Sequence, residues 1–275
     1  MICESDLQKL ADFEKKAQSE YNLRVRVQNK DTDNGEYTSE VQTYLRKREQ
    51  DFDYKPFLNK PQEESARQLV MDQMINASHK YKFRGETIFM AEFLMDHYIA
   101  RENVSKQNIQ LVGIVSLMIA AKYEEIYPPS IHDFEKMAGK YFTRPELLKM
   151  ESSILRKLGF NLSMASPLRH LEIYSKGIGQ GNSKGITKKC FEYAVNLLEA
   201  TLLNFKLLNY LPSVRASAAL FLSEKFLEKS GATAENAEIS SCATEIVKGL
   251  ILLSESPNNL VKKKYSTYKE LILIN

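Results

Sequence analysis

Residues 110–127 read QLVGIVSLMIAAKYEEIY, and this stretch decides the fold. Its first twelve residues are almost wholly apolar, which predicts a helix buried on nearly every side. The apolar run ends abruptly in Lys122, Tyr123, Glu124 and Glu125. A buried helix that ends in charge presents those side chains at its tip, so we look for a function there.

A second charge sits where an apolar residue is expected. Glu151 lies four residues after Leu147 and four before Leu155, on the apolar stripe of another predicted helix. Lys122 likewise continues the face of Val115, Met118 and Ile119, so its stem should pack with the core. Spacing alone leaves two readings open: a structural bridge or two charges that reach water, or a pair that meets a partner.

Outward from this stretch, helical periodicity dominates and the alternation typical of strands is nearly absent, which predicts an all-α fold. Thr143, Pro145 and Glu146 form a capping box with an early proline at one helix start. An alanine-rich run from 213 to 226 resembles the central run of the first half, which predicts that the halves form a divergent repeat of five helices each. The predicted helices are 64–79, 85–100, 105–124, 130–138, 143–158, 188–205, 211–229 and 236–254.

Glycine and polar residues mark the connections. KGIGQGNSKGITK, residues 176–188, is typical of a linker and lacks the pattern of a phosphate-binding loop. Residues 1–35 are polar and charged and predict a weakly ordered or separately docked leader. The leader ends in a turn, residues 31–35, that resembles the start of a calcium loop, but glycine is one place too early and Gln42 stands where the loop needs Glu. We expect no metal.

Composition excludes several classes of protein. A net charge of +3 over 275 residues gives no nucleic-acid footprint. Three cysteines without metal or disulfide spacing indicate reduced thiols inside the cell, in nucleus or cytoplasm. The N-terminus has no secretory pattern, and the longest apolar run, 109–121, falls short of the roughly 20 residues of a membrane span, so we expect no membrane partner.

A catalytic site is not indicated. His79, His97, His132 and His170 lie on separate segments, and no metalloprotease or serine-hydrolase motif is present. Glu124 and Glu125 are adjacent, so on a helix they point about 100° apart and do not converge; a solvated helix end is the favoured interpretation. We expect a protein that is not an enzyme and needs no cofactor.

Longer motifs resemble one family. Residues 80–160 are similar to the cyclin box of A- and B-type, or mitotic, cyclins, and the resemblance extends from residue 35 to the C-terminus. The motifs that carry it are KFRGET, IQLVGIVSLMIAAKYEEIYPPS, YFTRPELLKMESSILRKLGFNLS, GEYTSEVQTYLRKREQ, NYLPS and VKKKYSTYKE.

The resemblance implies two tandem five-helix cyclin boxes with an N-terminal helix and a short C-terminal helical tail. The corresponding ranges are a leader at 1–35, the N-terminal helix and connection at 36–63, and boxes at 64–163 and 164–275. It also implies a non-catalytic subunit that activates a cyclin-dependent kinase in G2/M cell-cycle control by packing on the C-helix of the kinase. A cyclin-fold adaptor that has lost kinase contact is the alternative.

By the same resemblance, Lys122 and Glu151 match the lysine and glutamate that bond the kinase backbone beside its C-helix. A half-buried charge without such a partner would be costly. The other positions that match kinase contacts are Phe160, Leu162, Ile119, Glu124, Ile126, Leu155, Tyr37 and Val41.

The chain departs from the family where mitotic cyclins dock Arg-x-Leu peptides of substrates and inhibitors. The family motif there carries a Trp; Gln73 takes its place, and the chain has no tryptophan. Loss of an aromatic anchor predicts weak or altered docking. The degenerate patch comprises Ala66, Leu69, Val70, Gln73, Ile109 and Gln110.

Two regulatory signals of the family are in doubt. No Arg-x-x-Leu destruction-box motif precedes the first box. Ser166-Pro167 and Ser256-Pro257 are minimal proline-directed sites, but helix-start or turn geometry is the favoured interpretation of each.

Overall fold

The structure is a computed structural model that describes residues 37–51, 64–139, 141–177, 187–227 and 237–255. These ranges are helical, with no strand among them, which confirms the all-α prediction. The leader 1–35, the connection 52–63, most of the glycine-rich linker, Ser256-Pro257 and the predicted C-terminal tail lie outside the described residues. Two compact units divide the chain, Met1–Thr43 and Tyr44–Asn275, and the contacts below lie within the second.

The described helices follow in chain order, numbered α1 to α10 with one 3₁₀ turn. They are α1 (Thr38–Gln50), α2 (Glu64–Tyr81), α3 (Gly85–Arg101), α4 (Lys106–Glu124), α5 (Ile131–Met137), α6 (Arg144–Lys157), α7 (Pro167–Gly177), α8 (Lys188–Thr201), the 3₁₀ helix Phe205–Asn209, α9 (Pro212–Leu227) and α10 (Ala237–Glu255).

The helices form two sets, α2 to α6 and α7 to α10. Helix α4 lies at the centre of the first set, as its sequence predicts. It packs against α2, α3, α5 and α6, and its residues from Val112 to Ala121 lie almost entirely in the core. Gly113 permits the close approach of α2, because a Cβ there would lie 2.1 Å from Val70 Cγ1. Helix α9 has the same place in the second set, packed against α7, α8 and α10.

Helix boundaries agree with the sequence within two residues, with two exceptions. Helix α8 ends at Thr201 rather than 205, because Leu202 and Leu203 form a turn before the 3₁₀ helix. Helix α7 had no assigned range. The helix-start interpretation of Ser166-Pro167 is confirmed: Ser166 is buried and its hydroxyl accepts a hydrogen bond from the Arg169 N–H at 3.0 Å.

A buried charge network joins the two sets of helices. Arg67 on α2 donates two hydrogen bonds to Asp96, at 2.8 and 2.7 Å, one to Glu92 at 3.0 Å and one to the Leu202 carbonyl at 2.9 Å. Arg215 on α9 lies 3.4 Å from the other oxygen of Glu92. The four side chains are almost completely buried and carry no net charge together. Burial disfavours the charge on Arg67, but Asp96 and Glu92 outweigh it and raise its pKa above the ordinary value.

We predict that Arg67→Met destabilises the fold by about 3–5 kcal/mol, because it leaves the buried Asp96 without a counter-charge and Glu92 with Arg215 alone. Urea unfolding at pH 7 measures the change. Gln68→Met, an exposed neighbour on α2, should change the free energy of unfolding by less than about 0.5 kcal/mol. Equal unfolding midpoints for the two variants would contradict this account of the network.

Candidate protein-binding surface

The two anomalous charges of the sequence meet in the structure. Lys122, in the last turn of α4, donates a hydrogen bond from Nζ to Glu151 Oε1 on α6 at 2.5 Å. The Lys122 side chain is 48% exposed and that of Glu151 is 16% exposed. Within the described residues neither makes another hydrogen bond, so two ammonium donors and one carboxylate oxygen remain for a partner.

The tip of α4 is fixed by its neighbour in sequence. Glu125 leaves the helix with extended backbone, and its Oε1 accepts hydrogen bonds from the Arg84 N–H at 2.7 Å and the Thr87 hydroxyl at 2.6 Å. It thereby caps the start of α3. The interpretation of Glu125 as part of a solvated helix end is wrong, because α3 supplies donors that the local sequence does not reveal.

Glu124 is half-buried beside the same helix start. Burial raises the pKa of Glu124. The positive charge of Arg84 opposes this increase, and the negative charge of Glu125 adds to it. Its backbone carbonyl accepts a hydrogen bond from Arg84 Nη1 at 3.4 Å.

Large apolar side chains stand exposed beside this pair. Ile126, immediately after the tip of α4, is 83% exposed, and Phe160, just beyond α6, is 66% exposed. Leu155 lies one turn after Glu151 and packs partly on the core, as does Leu162. Exposed side chains of this size around an ion pair are typical of a protein-binding surface.

Phe160 has an unusual backbone. Helix α6 ends with a hydrogen bond from the Phe160 N–H to the Leu155 carbonyl at 2.9 Å, as in a Schellman motif. Gly159 supplies a φ of 57°, and Phe160 adopts the same value. The left-handed conformation costs a non-glycine residue about 1–2 kcal/mol. Packing of the ring in the core does not offset this conformational cost, because the ring faces solvent.

The structure places the remaining predicted contacts as follows. Ile119 is 3% exposed and lies beneath the surface, so it supports the tip of α4 rather than forming the surface. Tyr37, exposed, precedes α1, and Val41, partly buried, lies on it; both belong to the first compact unit.

The degenerate docking patch is mostly polar or covered. Val70 and Ile109 are buried, and Ala66 packs partly on the core. Leu69 is exposed on α2. Gln110 Nε2 donates a hydrogen bond to Gln73 Oε1 at 3.1 Å, so an amide pair lies where the sequence predicts the loss of an aromatic anchor.

Sequence reasoning missed two sets of contacts made by α1. Arg48 donates hydrogen bonds to residues just beyond Phe160, and Glu49 binds Ser213 and His170. The partners are more than 100 residues apart in sequence, and no local pattern indicates such pairs.

The described residues contain no group of three or more His, Cys, Asp or Glu side chains placed to hold a metal ion. The histidines do not converge: His132 pairs with Glu135, His170 with Glu49, and His97 with the Phe93 carbonyl. No helix in these ranges is long and apolar enough to cross a membrane.

Comparison with known proteins identifies the family. The cyclin N-terminal domain model matches residues 40–163, and the cyclin C-terminal domain model matches residues 165–271. The chain belongs to the cyclin family. It is therefore built from two tandem cyclin domains; the first matched range holds α1 from residue 40 through α6, and the second holds α7 to α10.

Curated relatives of this cyclin are mitotic cyclins. The chain is 32% identical over 245 residues to G2/mitotic-specific cyclin-B of Marthasterias glacialis, covering 85% of this chain and 62% of the relative. It is 31% identical over 252 residues to G2/mitotic-specific cyclin-B of Dictyostelium discoideum, covering 86% and 56%. The chain thus spans little more than half the length of these relatives.

Solved structures agree on the fold. The viral cyclin from herpesvirus saimiri superposes with a TM-score of 0.56 at 14% identity, covering 85% of this cyclin and 97% of that chain. A chain of the CAK complex from Chaetomium thermophilum bound to ATP-gamma-S gives a TM-score of 0.50 at 16% identity, covering 85% and 83%.

Glu86, in the first turn of α3, has a buried carboxyl oxygen and interacts electrostatically with Glu124. Glu86 Oε1 is buried and has no hydrogen-bond partner in the described ranges. Burial raises the pKa of Glu86 to about 7; a hydrogen bond with Ser166 and the charge of Arg169 work against this, and the charges of Glu172 and Glu124 add to it. The fold therefore favours the protonated form.

We predict that Glu86→Gln stabilises this cyclin at pH 8 but hardly at pH 5. The unfolded carboxyl ionises near pH 4.5 and the folded one near 7, so stability falls as pH rises between these values. The variant avoids about 3 kcal/mol of this loss at pH 8 and less than about 1 kcal/mol at pH 5.

Thermal unfolding at the two pH values measures the difference. Glu64→Gln, at the exposed start of α2, is the control and should show no such change with pH. A Glu86→Gln benefit that is equal at both pH values would contradict the raised pKa.

Proposed function

We propose that this cyclin is the regulatory, activating subunit of a cyclin-dependent protein kinase in G2/M cell-cycle control, and that it performs no catalysis itself. The observation that carries the proposal is the Lys122–Glu151 pair, which is half-exposed, internally neutralised and still able to make hydrogen bonds. The curated relatives, named G2/mitotic-specific cyclins, support the cell-cycle assignment. We expect it to act inside the cell, in the nucleus, the cytoplasm or both.

The pair suits the edge of a helix in a partner. Lys122 offers N–H donors for unsatisfied carbonyl groups, and Glu151 offers an oxygen acceptor for unsatisfied N–H groups, as are found at the C- and N-terminal ends of helices respectively. Because each charge already has its counter-charge, burial under a partner leaves no unpaired ion. The partner we propose is the C-helix region of the kinase.

The apolar rim would supply the binding energy. Ile126 and Phe160 are large and exposed, and Leu155 lies between Glu151 and Phe160 along α6. Buried apolar anchors of this kind usually dominate protein interfaces. The left-handed backbone of Phe160 supports this role, because strain persists where function requires it. Leu162, Ile119 and Glu124 remain proposed contacts or supports of the same face. Tyr37 and Val41, in the first compact unit, remain proposed kinase contacts.

Activation follows as a shift of the kinase population. The cyclin binds the state whose C-helix is turned inward, where its glutamate pairs with the nucleotide-binding lysine, more tightly than the inactive state. A shift from 1% to 99% active needs about 5.5 kcal/mol of differential affinity. The cyclin supplies contacts only.

We further propose that docking of Arg-x-Leu peptides is weak or altered. Leu69 still offers an apolar side chain, but the hydrogen-bonded Gln73 and Gln110 must be desolvated before a peptide can lie over them. Activation and substrate selection would then depend on different surfaces of the cyclin.

We predict that Lys122→Ala combined with Glu151→Ala leaves the fold intact but weakens kinase binding about 100-fold, with loss of activation. The fold should lose no more than about 1 kcal/mol, because Lys122 is half-exposed and the double variant removes both charges, so neither is left unpaired. Pull-down and phosphorylation assays with the kinase partner of B-type cyclins measure both effects.

The exchanged pair, Lys122→Glu with Glu151→Lys, is the matched control. It keeps the internal bridge but reverses the groups offered to the kinase, so it should fail like the alanine variant. Full activation by either variant would contradict the proposed role, and binding of the native chain without activation would indicate an adaptor.

We predict that Gln73→Trp strengthens binding of an Arg-x-Leu peptide at least about tenfold, because it restores an aromatic anchor beside Leu69. Calorimetric titration measures the affinity, and Gln68→Trp, an exposed position elsewhere on α2, controls for added apolar surface. Tight binding by the native chain that Gln110→Ala abolishes would contradict the proposal of weak docking.

A further inference from the structure

Arg48 on α1 fastens the segment that follows α6. Its Nη2 donates hydrogen bonds to Asn161 Oδ1 and to the Ser163 carbonyl, each at 2.7 Å. Its Nη1 donates a hydrogen bond of 2.9 Å to Oδ2 of Asp51, three residues later in the chain. The Tyr44 and Ser163 hydroxyls form a further hydrogen bond of 3.3 Å one turn earlier on α1.

The residues that Arg48 holds flank Leu162 on both sides and follow Phe160 directly. Residues 161–166 belong to no helix, so no helical ladder of backbone hydrogen bonds fixes this segment. Phe160 enters it from a left-handed conformation that an unrestrained chain would tend to leave. Charge-assisted hydrogen bonds from a guanidinium are strong and directional enough to supply the missing restraint.

Helix α1 is itself anchored at the next residue. Glu49 is buried and accepts hydrogen bonds from the Ser213 N–H at 2.9 Å and the Ser213 hydroxyl at 2.8 Å. Its Oε2 lies 3.3 Å from His170 Nε2. Burial alone would raise the pKa of Glu49, but these hydrogen bonds outweigh it and lower the pKa. Arg48 therefore extends from a helix held by α7 and α9.

We propose that Arg48 is a positioning residue for kinase docking. It holds Phe160 and Leu162 in the geometry in which they meet the kinase, so that binding does not have to order them. The inference rests on the proposed function. Beyond that function, it assigns Arg48 on α1 an effect on kinase affinity. This effect is exerted through the α6 exit segment, residues 161–166.

The test compares Arg48→Ala with Lys47→Ala, its exposed neighbour on α1, in binding of the full chain to the kinase partner of B-type cyclins. We expect Arg48→Ala to weaken binding about tenfold, because the segment must be ordered on binding. Lys47→Ala should leave the affinity unchanged. Arg48→Lys should recover part of the loss, because an ammonium can replace only some bonds of the guanidinium fork.

A double-mutant cycle with Phe160→Ala separates positioning from a general loss of stability. If Arg48 acts through the exit segment, Arg48→Ala should change affinity less than about twofold once the Phe160 ring is gone. An equal loss in both backgrounds, or no loss in the native background, would overturn the inference.

Asn161→Ala provides a second variant should Arg48→Ala fail to fold, since it removes one tie from an exposed side chain. A loss of about threefold is expected, and unchanged affinity would overturn the inference. If the native chain itself does not bind the kinase, the proposed function fails instead, so the two failures are distinguishable.

Discussion

Arg67 and Arg215 place two positive charges beside Glu92 and Asp96 where water does not reach, and the arrangement of the two cyclin domains depends on that network. Each carboxylate is acceptable there only because a guanidinium lies against it. Arg67 comes from α2, Arg215 from α9, and the Leu202 carbonyl from the end of α8. A sliding of one domain against the other would leave at least one of these charges unpaired. The network therefore fixes the register of α3, on which both the α4 tip and the start of α7 rest.

The consequences reach the surface through α3 and α4. Glu125 caps the start of α3, and Lys122 ties the end of α4 to α6, so the tip of the central helix has little freedom. A docking surface on rigid elements loses less conformational entropy when a partner binds. The amide pair of Gln73 and Gln110 lies on helices of the same rigid domain. The proposed kinase-binding surface and the degenerate docking patch thus differ in the chemistry of their side chains and not in the helices that carry them.

Local signals were sufficient for much of the fold, and they marked Lys122 and Glu151 as unusual charges. That the two residues act together was implied by the family resemblance. The apolar run of α4 and the capping box before α6 are encoded within a few residues, and both helices start or end within two residues of the prediction. The end of α8 was missed because Leu202 and Leu203 are as apolar and buried as the helix before them. Apolar pattern does not distinguish an α-helix that continues from a turn into a 3₁₀ helix.

Contacts between distant segments could not be predicted in this way. The carboxylate of Glu125 finds donors 38 and 41 residues away, and Arg48 finds acceptors 113 and 115 residues away. Family resemblance marked Phe160 and Leu162 but not the side chain that holds them, because their own sequence carries no trace of Arg48. Likewise Ile119 shares a helical face with Lys122 by spacing, yet it is buried in the core while Lys122 is half-exposed.

The unequal exposure of Lys122 and Glu151 bears on how such a pair can drive binding. An exposed ion pair contributes little to folding, since both charges are well solvated and screened. Glu151 is already mostly desolvated within its own domain, so a partner that covers it displaces little further water from the carboxylate. Lys122 is the more solvated member of the pair. The cost of desolvating its ammonium on binding would be offset by the carboxylate of Glu151 and by carbonyl acceptors of the partner. Much of the desolvation of Glu151 thus occurs during folding and not on binding. More of the contact energy with the partner is then available to select one conformation of the partner.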